Sequence, residues 1–386
     1  MGRMIKALKQ RDPNEAHRAA TPLELFVDLA SVIAIAAAAT GLHHGIAEAH
    51  LQEAILSFLL AFFGIWWAWM NYTWFASAYD DDSSHFKLAT FIFLSGALVL
   101  AAGIREFMGA HELTLVVTGY VIMRLAMVWL WLSAAKDNTT HAATCRRYAL
   151  GIGLAQIYWI LIGIVFWQWT GLMIGLFCLG ILIEIAVPYW AEKANMTPWH
   201  RHHMIERYGL LNIIVLGEML LAISHAIYAA VSGGHLDAEL IRLAISAAVI
   251  TFSLWWLYFS REDHLQSRDP NRAFIWGYGH VFIFAAGAAT GAGFAVMVEI
   301  LTHHAHVPLV AGYLSVAIPV AIYLAGLWLV RDQFHLSTAN AAILPVAAVI
   351  SLATPFVPFA IEALAGVVLV AAIVRTMRLA APDDAG

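Results

Sequence analysis

Charge is scarce in this sequence. Asp, Glu, Lys and Arg make up 12% of its 386 residues, about half the share in an average soluble domain, while hydrophobic residues make up 61%. That balance excludes a soluble globular chain and points to a membrane. Cysteine is nearly absent. Cys145 and Cys178 supply no disulfide framework, and neither is expected on the outer face. The sequence also has no polar stretch long enough to hold a soluble domain, no phosphate-binding glycine loop, no zinc-protease motif and no retinal-type lysine inside an apolar run. Its formal charge of −5 comes with Lys and Arg spread over many short joints instead of one face, so no nucleic-acid partner is expected.

What the chain does have is a succession of apolar runs. A bilayer core takes roughly 20 apolar residues per helical crossing. Runs of that kind occupy 22–44, 53–77, 87–108, 113–134, 148–168, 171–191, 207–230, 239–260, 273–300, 308–330, 338–353 and 357–374. The expected fold is therefore an all-α membrane protein of about twelve transmembrane helices. Positive charge near span ends stays in the cytoplasm. Here it gathers in the tail (Arg3, Lys6, Lys9, Arg11, Arg18) and then in alternate joints: Lys87; Lys136, Arg146 and Arg147; Lys193 and Arg201; Arg261, Arg268 and Arg272; Arg331; Arg375 and Arg378. Both termini are expected in the cytoplasm. The basic tail, 1–21, runs straight into a full-length span, which reads as an uncleaved anchor.

The two halves, 22–191 and 207–376, resemble each other. A slide of 182 residues sets Glu24 on Glu206 and His43 on His225; a slide of 189 sets Trp66 and Trp67 on Trp255 and Trp256. This suggests two six-helix repeats related by a pseudo-twofold along the membrane normal. The cytoplasmic joint 192–206 would connect them, with 377–386 as a second tail.

The few charges inside spans are the candidate functional groups. Each costs about 2.5–3.5 kcal/mol at a helix centre, so such groups face a bundle interior or a water-filled cavity and pair with one another. Glu24 and Asp28 lie four residues apart, on one helical face. They are joined by Asn71, Glu184, Glu206, Arg207, Asn212, Glu218 and His280, with Arg124 in the middle of the fourth span. Arg207, Glu218 and His225 share one stripe of the seventh span, and Arg124 with Glu218 is the expected midplane pair. Read functionally, these groups line a polar cavity open to the cytoplasm whose carboxylates bind a proton or cation. Read structurally, they are interhelical salt bridges and caps. Thr21, Pro22 and Glu24 fit the Ncap, N1 and N3 positions of a helix start.

Two further clusters stand out. In "WHRHHMIER", His202 and His203 precede Glu206 by four and three residues, a spacing at which imidazoles and a carboxylate could share a metal ion; an interfacial basic stop is the plain alternative. His43, His44, His50, His111, His225, His235, His303, His304 and His306 fall at outer span ends or joints. They could bind metal, sense acid or serve as neutral interfacial groups. The run "YDDDSS" at 79–84 reads as a solvated cap for the third span, and Gly287, Gly291 and Gly293 as sites of close helix packing.

Four stretches, "RAATPLELFVDLASVIAIA", "WWAWMNYTWFASAYDDD", "HHMIERYGLLNIIVLGEMLLAIS" and "WWLYFSRED" followed by "YGHVFIFAAG", resemble the bacterial low temperature requirement A family. The resemblance covers residues 18 to about 300 and implies a multi-pass bacterial inner-membrane protein. The matching positions are Glu24, Asp28, Asn71, Trp74, Asp82, Glu206, Arg207, Gly217 and Glu218. One departure is Ala30 and Ser31, in a pattern that commonly reads Phe-Phe-Asp-Leu-Val-Phe, and it alters the expected pocket shape. The expected function is proton- or cation-linked transport of a small solute. The alternatives are an intramembrane metal-binding protein or enzyme, with no catalytic residue legible, and a sensor or assembly factor without substrate. No cofactor is expected beyond a metal ion. The expected partners are the small solute or ion, membrane lipid and, in a homo-oligomer, further copies of the same chain.

Overall fold

The computed structural model describes residues 7–16, 18–165, 171–232, 237–260, 265 and 270–380. Arg3, Lys6, Arg261, Arg268, His235 and the tail from 381 lie outside those residues. The described chain is helical, with no strand among the described residues: α1 Pro22–Ala47, α2 Leu51–Tyr79, α3 Ser84–Ala110, α4 Thr114–Asp137, α5 Ala142–Val165, α6 Gly171–Glu192, α7 Arg201–Ser232, α8 Ala238–Phe259, α9 Pro270–Leu301 and α10 Leu309–Leu327. A π-helical stretch, Trp328–Asp332, follows α10, and the helices Ile343–Ala353 and Ala360–Ala380 close the chain. Eleven helices among the described residues are long and apolar enough to cross a membrane. α5, with 24 residues, adds a twelfth helical body. The protein is thus an all-α, multi-pass membrane protein, and the helices fall where the apolar runs are.

Their ends follow local chemistry. α1 opens with a reciprocal capping box: Thr21 N–H donates to Glu24 Oε2 at 2.8 Å, and Glu24 N–H donates to Thr21 Oγ1 at 3.3 Å. Ser83 caps α3 by accepting from Phe86 N–H, and Asp237 caps α8 by accepting from Glu239 and Leu240 N–H. The acidic run before α3 is not wholly solvated, however, because Asp80 is buried. α7 begins at Arg201, so the end of the expected joint 192–206 is already helical.

The chain divides into two compact units, Met1–Ala38 with Ser57–Tyr208, and Ala39–Leu56 with Gly209–Gly386. In the first, α3 packs on α4, α4 on α5 and α5 on α6. α3 and α4 meet backbone to backbone, since a Cβ on Gly96 would lie 2.7 Å from Gly119 O. On α1, Leu25, Leu29 and Ile33 are exposed while Glu24, Val27, Asp28 and Ser31 are buried. That is the inverted pattern of a helix with an apolar outside. In the second unit, α9 packs on α10 and α8 on Ala360–Ala380. Gly291 fits against α7 so closely that a Cβ there would lie 2.9 Å from Glu218 Cβ, as expected for the glycines of α9.

Candidate functional site

The first unit gathers its charges where α1 starts. Glu24, fully buried, accepts the Thr21 N–H of the capping box. Its Oε1 lies 2.9 Å from His203 Nε2 and 3.5 Å from Arg18 NH2. One turn on, Asp28 is gripped by Arg207, NH1 to Oδ2 at 2.8 Å and NH2 to Oδ1 at 2.7 Å, and accepts Trp69 Nε1–H at 2.7 Å. α1 and α7 thereby share one ladder of ions, to which α2 adds the neutral Trp69 donor. Arg18 also donates to Ala76 O at 2.8 Å. His203 Nδ1 has no hydrogen-bond partner. His200 holds this corner: its Nε2–H donates to Glu15 O, which leaves Nδ1 to accept His203 N–H.

Glu184 makes a second, separate centre in the same unit. It is fully buried and accepts four donors: Arg124 NH2, Trp67 Nε1 at 2.9 Å, Tyr120 OH at 3.1 Å and Trp159 Nε1 at 3.2 Å. α2, α4, α5 and α6 are tied together through that one carboxylate. The partner of Arg124 is therefore Glu184, not the expected Glu218. The reason is geometric: α4 packs against α5 and α5 against α6, which delivers Glu184 to Arg124.

The other expected residues have different surroundings. Glu218 is half-buried and has no hydrogen-bond or ion partner among the described residues. Arg207 is buried and His225 exposed, so the stripe on α7 is not one continuous buried seam. Asn71 donates to Trp67 O within its own helix at 2.8 Å. Asn212 Oδ1 accepts Tyr323 OH at 3.0 Å. His280 Nδ1 faces Trp276 O at 2.7 Å, an atom that can only accept, so Nδ1 carries the proton and Nε2 accepts Tyr258 OH at 3.1 Å. Glu206 is exposed and accepts Ala20 N–H at 3.2 Å, His202 is exposed and His203 is buried against Glu24. The metal set expected from these three is not assembled: successive positions on the helix point His203 inward and the other two out.

One cluster was not anticipated from the sequence, and one histidine pair gains a partner that was not. Arg331 and Arg375, assigned to solvated joints, are buried on either side of Asp332, at 2.6 Å and 2.9 Å. Their nearest signal was Asp332 itself, adjacent to Arg331 in a π-helical stretch, a form of helix frequent at functional sites. His43, His44 and Glu299 also converge.

Glu24, Asp28 and Glu184 are surrounded by donors, whereas the arginines beside them are not saturated with acceptors. Arg18 Nε and NH1, Arg124 Nε and NH1, and Arg207 Nε are buried without hydrogen-bond partners. Outside the spans, burial pushes the Asp80 carboxyl up to about 6, against its hydrogen bond from Asp82 N–H. Beside Trp69 lies a small cavity of about 10 Å³, lined among others by Ser31, Ala34, Ala68 and Ala97. Ser31 thus borders the site.

The first and third sequence motifs meet in the Asp28–Arg207 pair, and the whole-chain comparison agrees with them. Residues 19–377 match the family described as bacterial low temperature requirement A protein. The chain belongs to that family. It is also similar to an uncharacterized protein of Rhizobium meliloti (strain 1021), 25% identical over 378 residues that make up 90% of this chain and 86% of the relative. No solved structure matches it. The family match extends past the motifs to cover the Arg331–Asp332–Arg375 cluster as well.

Proposed function

We propose that this family member is a proton-linked transporter of a small solute in the bacterial inner membrane, with both termini in the cytoplasm. The observation that carries the reading is the contact between His203 and Glu24, buried beside the Asp28–Arg207 pair. In this ladder two arginines balance two carboxylates, and His203 is the imidazole in direct contact with one of them, a side chain whose ordinary titration range straddles neutral pH. A proton arriving on His203 would leave an excess positive charge in a dry interior, where uncompensated charge is costly. The spare donors of Arg18 and Arg207 suit a solute bearing carboxylate or carbonyl oxygens, which would relieve that excess. Proton uptake and solute binding would then favour each other. In this reading Glu24, Asp28 and Glu184 serve as fixed counter-charges, a change from the proton- or cation-binding role expected for them together with Glu206 and Glu218.

The test is proton flux into proteoliposomes, read with an internal pH dye under imposed gradients of small mono- and dicarboxylates and amides. Wild-type protein should acidify the lumen with at least one of these solutes, and a folded His203→Gln variant should not. Equal flux in the variant, or no flux with any solute tried, overturns the proposal.

A further inference from the structure

We propose that His43, His44 and Glu299 of the second unit bind one divalent transition-metal ion of the Zn²⁺ class. His43 and His44 lie in the last turns of α1, and Glu299 lies in the last turn of α9. Neighbouring residues on a helix project about 100° apart, so two such side chains do not meet by default. Here the rings stack, with centroids 4.7 Å apart and planes 24° from parallel. Both turn towards the same carboxylate, and one ligand atom from each of the three residues lies within 4.8 Å of the others.

A plain imidazole–carboxylate pair accounts for only two of the three groups. His43 Nε2 lies 2.8 Å from Glu299 Oε1, and that contact alone gives no reason for His44 to turn its ring onto His43 and bring a third ligand atom within 4.8 Å of the other two. Convergence of all three is what one shared ion requires. With metal–ligand bonds of about 2.0–2.1 Å and tetrahedral angles, ligand atoms stand about 3.3 Å apart. The observed separations, from 2.8 Å to no more than 4.8 Å, bracket that value, so side-chain rotation alone closes the site.

The donors decide the ion. Two imidazole nitrogens and one carboxylate suit zinc and its first-row neighbours, whereas magnesium and calcium prefer oxygen alone. Three protein ligands leave a fourth position open. His225 of α7, close enough to interact electrostatically with His43, is placed to approach it. The half-buried His43 and Glu299 and the exposed His44 leave the ion a way in.

Full-length protein in detergent, stripped with chelator, would be dialysed against Zn²⁺ and its metal content measured. Co²⁺ would report geometry through its visible absorption. One Zn²⁺ per chain and an intense tetrahedral Co²⁺ spectrum are expected. His43→Gln or Glu299→Gln should weaken binding by at least about ten- to hundredfold, the cost of losing even an outer-shell partner, while His306→Gln, which disrupts the separate contact with Glu48, should not. Should a variant lose its monodisperse elution profile, His44→Gln, at an exposed ring, replaces it. Absence of bound metal in the wild type, or undiminished binding in the folded ligand variants, overturns the site. The readout is metal itself, so it stands or falls independently of transport.

Discussion

Arg207 holds Asp28 with both arms of its guanidinium, at 2.8 Å and 2.7 Å, and so fastens the beginning of α7 to the beginning of α1. Both side chains are buried. Removing either partner strands a charge, which typically costs about 3–5 kcal/mol. Asp28→Asn and Arg207→Gln should each lower stability in detergent by that order, and the double variant should lose much less than the two losses added together. Arg207→Lys should rescue little, because a single ammonium cannot reproduce a two-armed grip. Additive losses across the cycle, measured by chemical denaturation, would refute the pairing.

Glu184 and Glu218 should respond in opposite ways to the same change. Glu184→Gln replaces an acceptor of four donors with an amide that has one oxygen and two hydrogens of its own, leaving Arg124 without a counter-charge. A loss of about 3 kcal/mol or more is expected. Glu218, with no partner among the described residues, should tolerate Gln within about 0.5 kcal/mol. If thermal unfolding ranks the two variants the other way round, Arg124 has been assigned the wrong partner.

Asp80 gives a pH dependence with a definite sign. Its carboxyl rises from an ordinary 3.8 to about 6 on burial in the folded protein, so the folded state binds the proton more tightly. The stabilising effect is fully present below pH 3.8 and is lost as pH climbs through 6. A shift of this size corresponds to about 3 kcal/mol. Between pH 4 and pH 7 the wild type should lose stability more steeply than Asp80→Asn, whose amide does not titrate. Parallel slopes in the two melting series would show that another group is responsible.

What the sequence reveals of this protein is mostly what neighbours along the chain decide. The helices follow apolar run length, and the cap on α1 follows from Thr21, Pro22 and Glu24, residues within one turn. The shared face of Glu24 and Asp28 is likewise a matter of helical period. Partner choice is different. Glu184 meets Arg124 because of how α4, α5 and α6 pack, and no spacing within a single helix carries that information. Trp67 and Trp159 were not singled out as donors to a buried carboxylate, because indoles in an apolar chain default to the membrane interface. Arg331 and Arg375 misled for a related reason. A cation near the end of an apolar run reads as a flanking charge, and only the fold shows that Asp332 lies between the two. The adjacent imidazoles of His43 and His44 were visible in sequence, but Glu299 joins them from a distant helix.

Ser31 offers a way to separate the stability of the first unit from its proposed transport. Its hydroxyl donates only to Val27 O in its own helix, at 3.0 Å, so replacing it strands no buried partner. Its side chain borders a cavity of only about 10 Å³ next to Trp69, the residue that donates to Asp28. That space holds at most one water, so a larger side chain must displace its neighbours. Ser31→Leu should overpack the seam and cost about 1–3 kcal/mol, read as a lowered melting temperature, whereas Ser31→Ala, which removes only the hydroxyl, should stay within about 1 kcal/mol of the wild type. If the Ser31 hydroxyl lies on the solute's path, proteoliposome flux should fall in the stable Ser31→Ala protein while the Asp28–Arg207 pair, which it does not touch, remains intact. Undiminished flux in that variant would mean that the solute passes elsewhere, and that Ser31 shapes only the packing of α1 against α2 and α3.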